Sequence, residues 1–282
     1  MKIAILALAA MGFAATPAVM RAQWPLFASP AVPKTADGKP DLTAPAPRTA
    51  AGKPDLTGLW EFVPVPRPNP APPPPGGDTS AGLGPTRPGP SQFFNIGSTV
   101  PGGLPFTPWA AELRKERAAV NNKDNPDAHC LPIGLMQLHT HPQPRKIIQT
   151  PAVIVILYEA QGGVRQIFMD GRPLPGNDPQ PWWYGYSIGH WDGDTLVVET
   201  SGFRDDVWLD VEGSPLTGTG KMTERFRRVN YGNMEIDVTV EDPKAYTRPW
   251  TVTVKQRIML DTDLFEFVCQ ENERDVPHLV SH

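Results

Sequence analysis

The chain of 282 residues has only two cysteines, six histidines and no excess of basic charge, and each shortage removes a class of function. Its formal charge of -4 offers no basic face to neutralise a phosphate backbone, which argues against a nucleic-acid partner. Neither cysteine belongs to a Cys-x-x-Cys pair or sits beside clustered histidines, so no structural metal or other cofactor is expected. A Gly-x-Ser-x-Gly nucleophile elbow is missing: Tyr186-Ser187-Ile188-Gly189 lacks the glycine before serine and leads into a turn and strand. Gly213 to Gly220 also runs into a strand, where a phosphate cradle needs the start of a helix. There is no uninterrupted apolar run of the roughly 20 residues that a membrane span requires.

The shorter apolar run at the start has another meaning. Lys2, the apolar stretch from Ile3 to Ala15 and the small residues Ala18 and Ala22 have the layout of a secretory signal over residues 1–22, with Pro17 and Arg21 ending the run. A periplasmic or secreted location is therefore expected, with no transmembrane segment after cleavage. There, Cys130 with Cys269 is the one intramolecular disulfide available, and closing so long a loop stabilises by about 4–5 kcal/mol on the chain-entropy model. The alternative is two separately buried thiols.

Proline is abundant where cysteine is not. Residues 23–106 form a proline-rich arm, densest from Pro64 to Pro90, where proline fixes φ and removes the amide donor that helix and sheet need. Two near-copies, Thr35-Ala36-Asp37-Gly38-Lys39-Pro40-Asp41-Leu42-Thr43 and Thr49-Ala50-Ala51-Gly52-Lys53-Pro54-Asp55-Leu56-Thr57, lie in this arm, and the second leads into a short strand near 58–63. One helix is expected from Pro108 to Asn121, capped by Thr107, with Trp109, Leu113 and Val120 on one stripe.

The remainder of residues 107–282 reads as strands. Met234, Ile236, Val238 and Val240 alternate with polar residues, as do Trp250, Val252, Val254 and Ile258, and as do Phe265, Phe267 and Cys269. Ala152 to Tyr158 is apolar on both faces, Val164 to Asp170 follows a Gly-Gly turn, and His190 to Asp194 reads as a turn before the strand Thr195 to Thr200. The fold class is all-β, an antiparallel barrel or sandwich in meander order, with one surface helix and the arm.

Two resemblances bear on it. Gly58-Leu59-Trp60 at the head of a strand resembles the opening of lipocalins, which implies a cup with the tryptophan plugging its closed end. More extensively, over Cys130 to Asp275, Gln149-Thr150-Pro151, Leu157-Tyr158-Glu159, Met169-Asp170-Gly171-Arg172-Pro173, the run from Ser187 to Phe203 (SIGHWDGDTLVVETSGF), Thr223-Glu224-Arg225 and Glu241 to Thr247 resemble a large family of secreted acidobacterial and proteobacterial proteins of unassigned activity. In that family's pattern histidine often follows proline where this chain has Leu174 and Leu216, so the resemblance implies no chemistry that relies on those histidines.

Candidate site residues fall into three groups. Trp182, Trp183, Tyr184 and Tyr186 on a loop feeding the sheet suit a stacking wall for a hydrophobic or aromatic ligand, or a packing plug. Glu224 and Arg228 share strand parity with Met222 and Phe226, which puts two charges on an apolar face, as a structural ion pair or as groups that orient a ligand. His190 with Asp192 and Asp194 puts an imidazole and two carboxylates within five residues, as a metal corner, an acid/base pair or an ordinary turn. His139 and His141 share one side of an extended segment, where they can chelate a metal though no third ligand is near. The leading expectation is a binding protein for a small hydrophobic or aromatic molecule in or at the mouth of the barrel. The alternatives are an enzyme using His190, Asp192 and Glu224, and an envelope module whose partner protein engages the arm. A closed cavity of about 300 Å³ or more lined by aromatics favours binding, convergent titratable groups within it favour catalysis, and a filled barrel favours the interaction module.

Overall fold

The structure, a computed structural model, describes residues 28–29, 31–64, 96–176 and 180–269. The signal-like segment and the proline run after Pro64 lie outside them. The chain proceeds through β1 (Gly58–Val63), helix α1 (Pro108–Ala119), helix α2 (Leu135–Thr140), β2 (Arg145–Gln149), β3 (Val153–Tyr158) and β4 (Val164–Phe168). It continues with β5 (Tyr186–Asp192), β6 (Thr195–Ser201), the two-residue strands β7 (Val207–Trp208) and β8 (Pro215–Leu216), β9 (Lys221–Arg228), β10 (Asn233–Glu241) and β11 (Trp250–Met259).

Nine strands close a barrel in the order β1-β11-β10-β9-β6-β5-β4-β3-β2, and β7 pairs with β8 as a separate hairpin. Strand parity explains the wall. Met222, Glu224 and Phe226 of β9 face Val240, Val238 and Ile236 of β10, which in turn face Trp250, Val252 and Val254 of β11, and all are buried. Intervening residues such as Thr239 and Thr251 are on the outside, where their hydroxyls bond at 2.8 Å. β1, which the sequence assigns to the arm, pairs with β2 on one side and β11 on the other and so closes the ring.

Closure corrects one expectation directly. Residues 262–268 are not a strand, because both edges of β11 are already taken by β10 and β1 and no edge remains for Phe265 and Phe267 to join. Meander order fails once as well: β4 and β5 run parallel and pair only through Ile167 with Ser187 and Phe168 with Ile188. The hairpin turn at Gly193-Asp194 is as expected, but His190, Trp191 and Asp192 belong to β5.

Helix α1 starts where proline and the Thr107 cap predict, with Thr107 Oγ1 accepting from Ala110 N. Its docked face differs from the expected stripe. Ala110, Leu113, Arg114 and Arg117 turn inward, while Trp109 and Val120 are exposed. The arginines hold this face down, since Arg117 lies 4.4 Å over the Trp208 ring and donates to Gly213 O at 2.7 Å, and Arg114 pairs with Glu212.

A second helix was not expected. All six residues of α2 are buried, and His139 reaches the inward-facing Glu224 of β9, so the helix fills the barrel interior. A barrel of about eight strands is just filled by its own side chains. A ninth leaves room for this short helix. Gly134 lets it enter, because a Cβ there would stand 2.1 Å from Trp208 O. The described interior is therefore packed, not an open lipocalin-like cup. His139 and His141 correspondingly do not lie on an extended segment.

The arm from residue 31 to 57 wraps the barrel with its two copied segments. Each makes the same tight turn, with Thr35 N donating to Lys39 O at 2.9 Å and Thr49 N to Lys53 O at 2.8 Å. The second copy grips the β5-β6 hairpin: Arg48 forks onto Asp194 and Lys53 Nζ donates to Gly193 O at 2.9 Å. Its Leu56 is buried in the core, and the first copy's Leu42 accepts Gly232 N at 2.8 Å. Cys130 and Cys269 form a disulfide with Cα atoms 5.6 Å apart, which ties the segment before α2 to the tail after β11. No described helix is long and apolar enough to cross a membrane.

Candidate functional site

The short β4-β5 pairing leaves a seam in the barrel wall. Val164, Arg165 and Gln166 pair with β3 on one side and have no β5 partner on the other. A cleft of about 330 Å³ opens there, lined by these residues, Phe168, Pro132, Ser187 and the loop from Trp182 to Tyr186. This is where the four aromatic residues picked out in the sequence come together.

Backbone pairing fixes the loop. Trp182 bridges to Phe203, with Trp182 N donating to Gly202 O at 2.9 Å and Arg204 N to Trp182 O at 3.1 Å. Gly185 takes φ +66° beneath it, where a Cβ would stand 2.5 Å from Thr200 Cγ2. The rings then form a continuous row. Phe168 stacks on Tyr186 at 5.1 Å, Tyr186 meets Trp182 at 5.4 Å, and the Arg172 guanidinium lies 3.9 Å over Phe168 while donating to the Tyr186 hydroxyl at 3.1 Å. Trp183 carries Arg204 at 4.6 Å, and Tyr184 leans inward toward Tyr158 at 6.5 Å. Burial, with the nearby Tyr158, pushes the Tyr184 phenol up to about 12, so it stays a neutral donor at ordinary pH. Trp182 remains 37 % exposed, the half-wet position that suits an indole at a ligand mouth.

At the floor of the cleft the polar interior begins. Arg165, fully buried, donates from Nε to Ser187 Oγ at 3.1 Å, from Nη2 to Thr200 Oγ1 at 3.0 Å and from Nη1 to Glu224 Oε1 at 2.9 Å, with a further bond to Oε2. His139 Nε2 bonds to Glu224 Oε1 at 2.5 Å. Burial alone would raise the Glu224 carboxyl, but Arg165 and His139 together bring it down to about 2, so it is ionised. Burial pushes His139 down, with the bond to Glu224 only partly opposing this, so the ring is neutral. An ionised acceptor then requires the proton on Nε2 and leaves the Nδ1 lone pair pointing into the core without a partner. Arg145 and Gln256 cap the end of α2 by donating to His139 O at 2.6 and 2.9 Å.

The other candidates lie apart. His190 and Asp192 are exposed on the outer face of β5, where Asp192 pairs with Arg225 at 2.8 Å. They do not converge with Glu224, which is sealed inside the barrel. The ion pair anticipated for Glu224 exists, with Arg165 and not with Arg228. Arg228 ends β9, six residues past Met222, and so sits about 20 Å along the strand from the aromatic loop. Sequence reasoning missed His139, Arg165 and Phe168 as members of this region. The signal for Arg165 was present, because Val-Arg-Gln-Ile-Phe places it on the same face as Ile167. Compared with known protein families, curated proteins and solved structures, the chain matches none.

Proposed function

We propose that the chain is an exported binding protein for a small flat aromatic molecule held in the seam cleft. The observation that carries this reading is the convergence of Trp182, Trp183, Tyr184, Tyr186 and Phe168 around about 330 Å³ of open space at a break in strand pairing. That volume lies at the lower end of small-molecule sites and suits one or two fused rings. The edge of β4 that faces β5 has no strand partner along Val164 to Gln166 and offers hydrogen-bonding groups there, and the ring row supplies the stacking face. Export rests on the signal-like start and fits the disulfide, which persists in oxidising compartments.

The alternatives have less behind them. Acid/base catalysis with His190, Asp192 and Glu224 needs groups that meet, and these face opposite sides of the wall. The filled interior is what an interaction module would have, yet the described part of the arm is occupied with its own barrel. The test is a fluorescence titration with 2-naphthol. Trp182→Ala and Tyr186→Ala should each weaken binding about tenfold, the effect of losing a ring contact and its buried area, while the far-ultraviolet spectrum is unchanged. Unaltered affinity in both variants would remove the proposal.

A further inference from the structure

A second cavity lies where the arm crosses the start of β1 and the end of β11. It measures about 510 Å³, and its apolar lining comes from Leu59, Ile258, Met259 and Leu260, with Arg228 at its wall. Arg228 is only 6 % exposed, and unlike Arg145, which is buried in a similar way, it stands at the wall of an open cavity. It donates to three backbone carbonyls, those of Asn230 at 3.3 Å, Tyr231 at 2.5 Å and Asp55, and lies 5.0 Å over the Trp60 ring. Among the described residues it has no ion pair.

Guanidinium carries five N–H donors, so donors remain after these three bonds. Burial holds its pKa down at about 10, partly offset by Asp55, which leaves it charged at neutral pH. Of the other charges lining the cavity, Lys146 pairs with Asp263 at 2.8 Å, while the Asp55 carboxylate acts on Arg228 at a distance and forms no ion pair with it among the described residues. Its direct partners are neutral carbonyls and the nearest carboxylate stands off, so a ligand anion in direct contact would offset more of the cost of its burial. Aliphatic walls beside it suit an alkyl chain.

We propose that this cavity is a ligand site separate from the aromatic cleft, for a small molecule with an alkyl tail and one carboxylate, with Arg228 as the carboxylate's partner. The site stands independently of the cleft, since the two share no lining residue.

Isothermal titration calorimetry of the purified full chain with decanoate and 1-decanol separates charge from tail. Decanoate should bind with one-to-one stoichiometry and about tenfold or more tighter than the alcohol, the margin of one charge-assisted hydrogen bond. Thr262→Trp, which places an indole in the cavity and leaves the Arg228 side chain unsubstituted, should abolish decanoate binding, and Trp182→Ala should leave it intact. Arg228→Met should bring acid and alcohol to equal affinity; if that variant does not fold, the acid-alcohol pair and Thr262→Trp still decide. Equal binding of acid and alcohol by the unaltered chain, or decanoate binding that survives Thr262→Trp, would overturn the proposal. Decanoate binding lost in Trp182→Ala would overturn it too, by placing the carboxylate in the aromatic cleft.

Discussion

Replacing Glu224 with glutamine tests how far the barrel depends on its buried charge cluster. The carboxylate takes bonds at Oε1 from His139 and Arg165 and at Oε2 from Arg165 again. An amide of the same shape has one acceptor. If its oxygen takes the Oε1 position, its NH2 meets an Arg165 donor; if it flips, the NH2 meets both His139 Nε2–H and Arg165. Either way a donor faces a donor, and the guanidinium is left buried without a counter-charge. Breaking a buried pair from one side costs about 3–5 kcal/mol. A second route gives a similar figure. Holding the carboxyl at about 2 instead of its ordinary 4.5 corresponds to about 3 kcal/mol, at about 1.4 kcal/mol per pH unit.

The pH dependence has a definite sign. Because the folded pKa is depressed, the contribution is complete above the unfolded value near 4.5 and drains away as pH falls toward 2. Urea unfolding of wild type and Glu224→Gln at about pH 7 should therefore differ by about 3–5 kcal/mol, and the gap should narrow on acidification below about pH 5. The double substitution Glu224→Leu with Arg165→Met should cost less than Glu224→Gln alone, since apolar replacement of a whole buried pair is often near neutral. A loss under about 1 kcal/mol at neutral pH, or a gap that widens in acid, would refute the reasoning.

Other parts of the fold make sharper or flatter predictions. Removing the disulfide with Cys130→Ala and Cys269→Ala should lower unfolding stability by about 2–5 kcal/mol, and adding reductant should do the same to the unaltered chain, both by urea titration. Gly134→Ala should destabilise by about 1–3 kcal/mol or prevent folding, because a methyl there meets the Trp208 carbonyl and displaces α2; wild-type stability by calorimetry would contradict the close approach. Arg48→Ala, which breaks an exposed pair with Asp194, should shift the melting temperature by less than about 2 °C, and a larger drop would mean the arm contributes more than its surface contacts imply.

How much of this was legible depends on the period of each element. β9, β10 and β11 could be read residue by residue, because one wet and one dry face produce strict alternation, and the inward position of Glu224 followed from the same parity. Helix α2 left no such trace: buried on every side, Leu135 to Thr140 has no polar stripe, and six residues are too few for a period of 3.6 to register. The alternation of Phe265 and Phe267 looked like another strand, yet strand formation needs a free edge and the closed ring has none. The aromatic loop announced itself by composition, whereas the cleft beside it depends on a two-residue parallel pairing between β4 and β5 that no local pattern encodes.

Nitrogen-15 spectra of the tryptophan side chains test the aromatic cleft most directly. On saturation with 2-naphthol, the indole N–H signals of Trp182 and Trp183 should move while those of Trp60 and Trp250, buried inside the barrel, stay in place. Stationary Trp182 and Trp183 signals, or a shift at Trp60 and Trp250 in their stead, would contradict a ligand site at the β4-β5 seam.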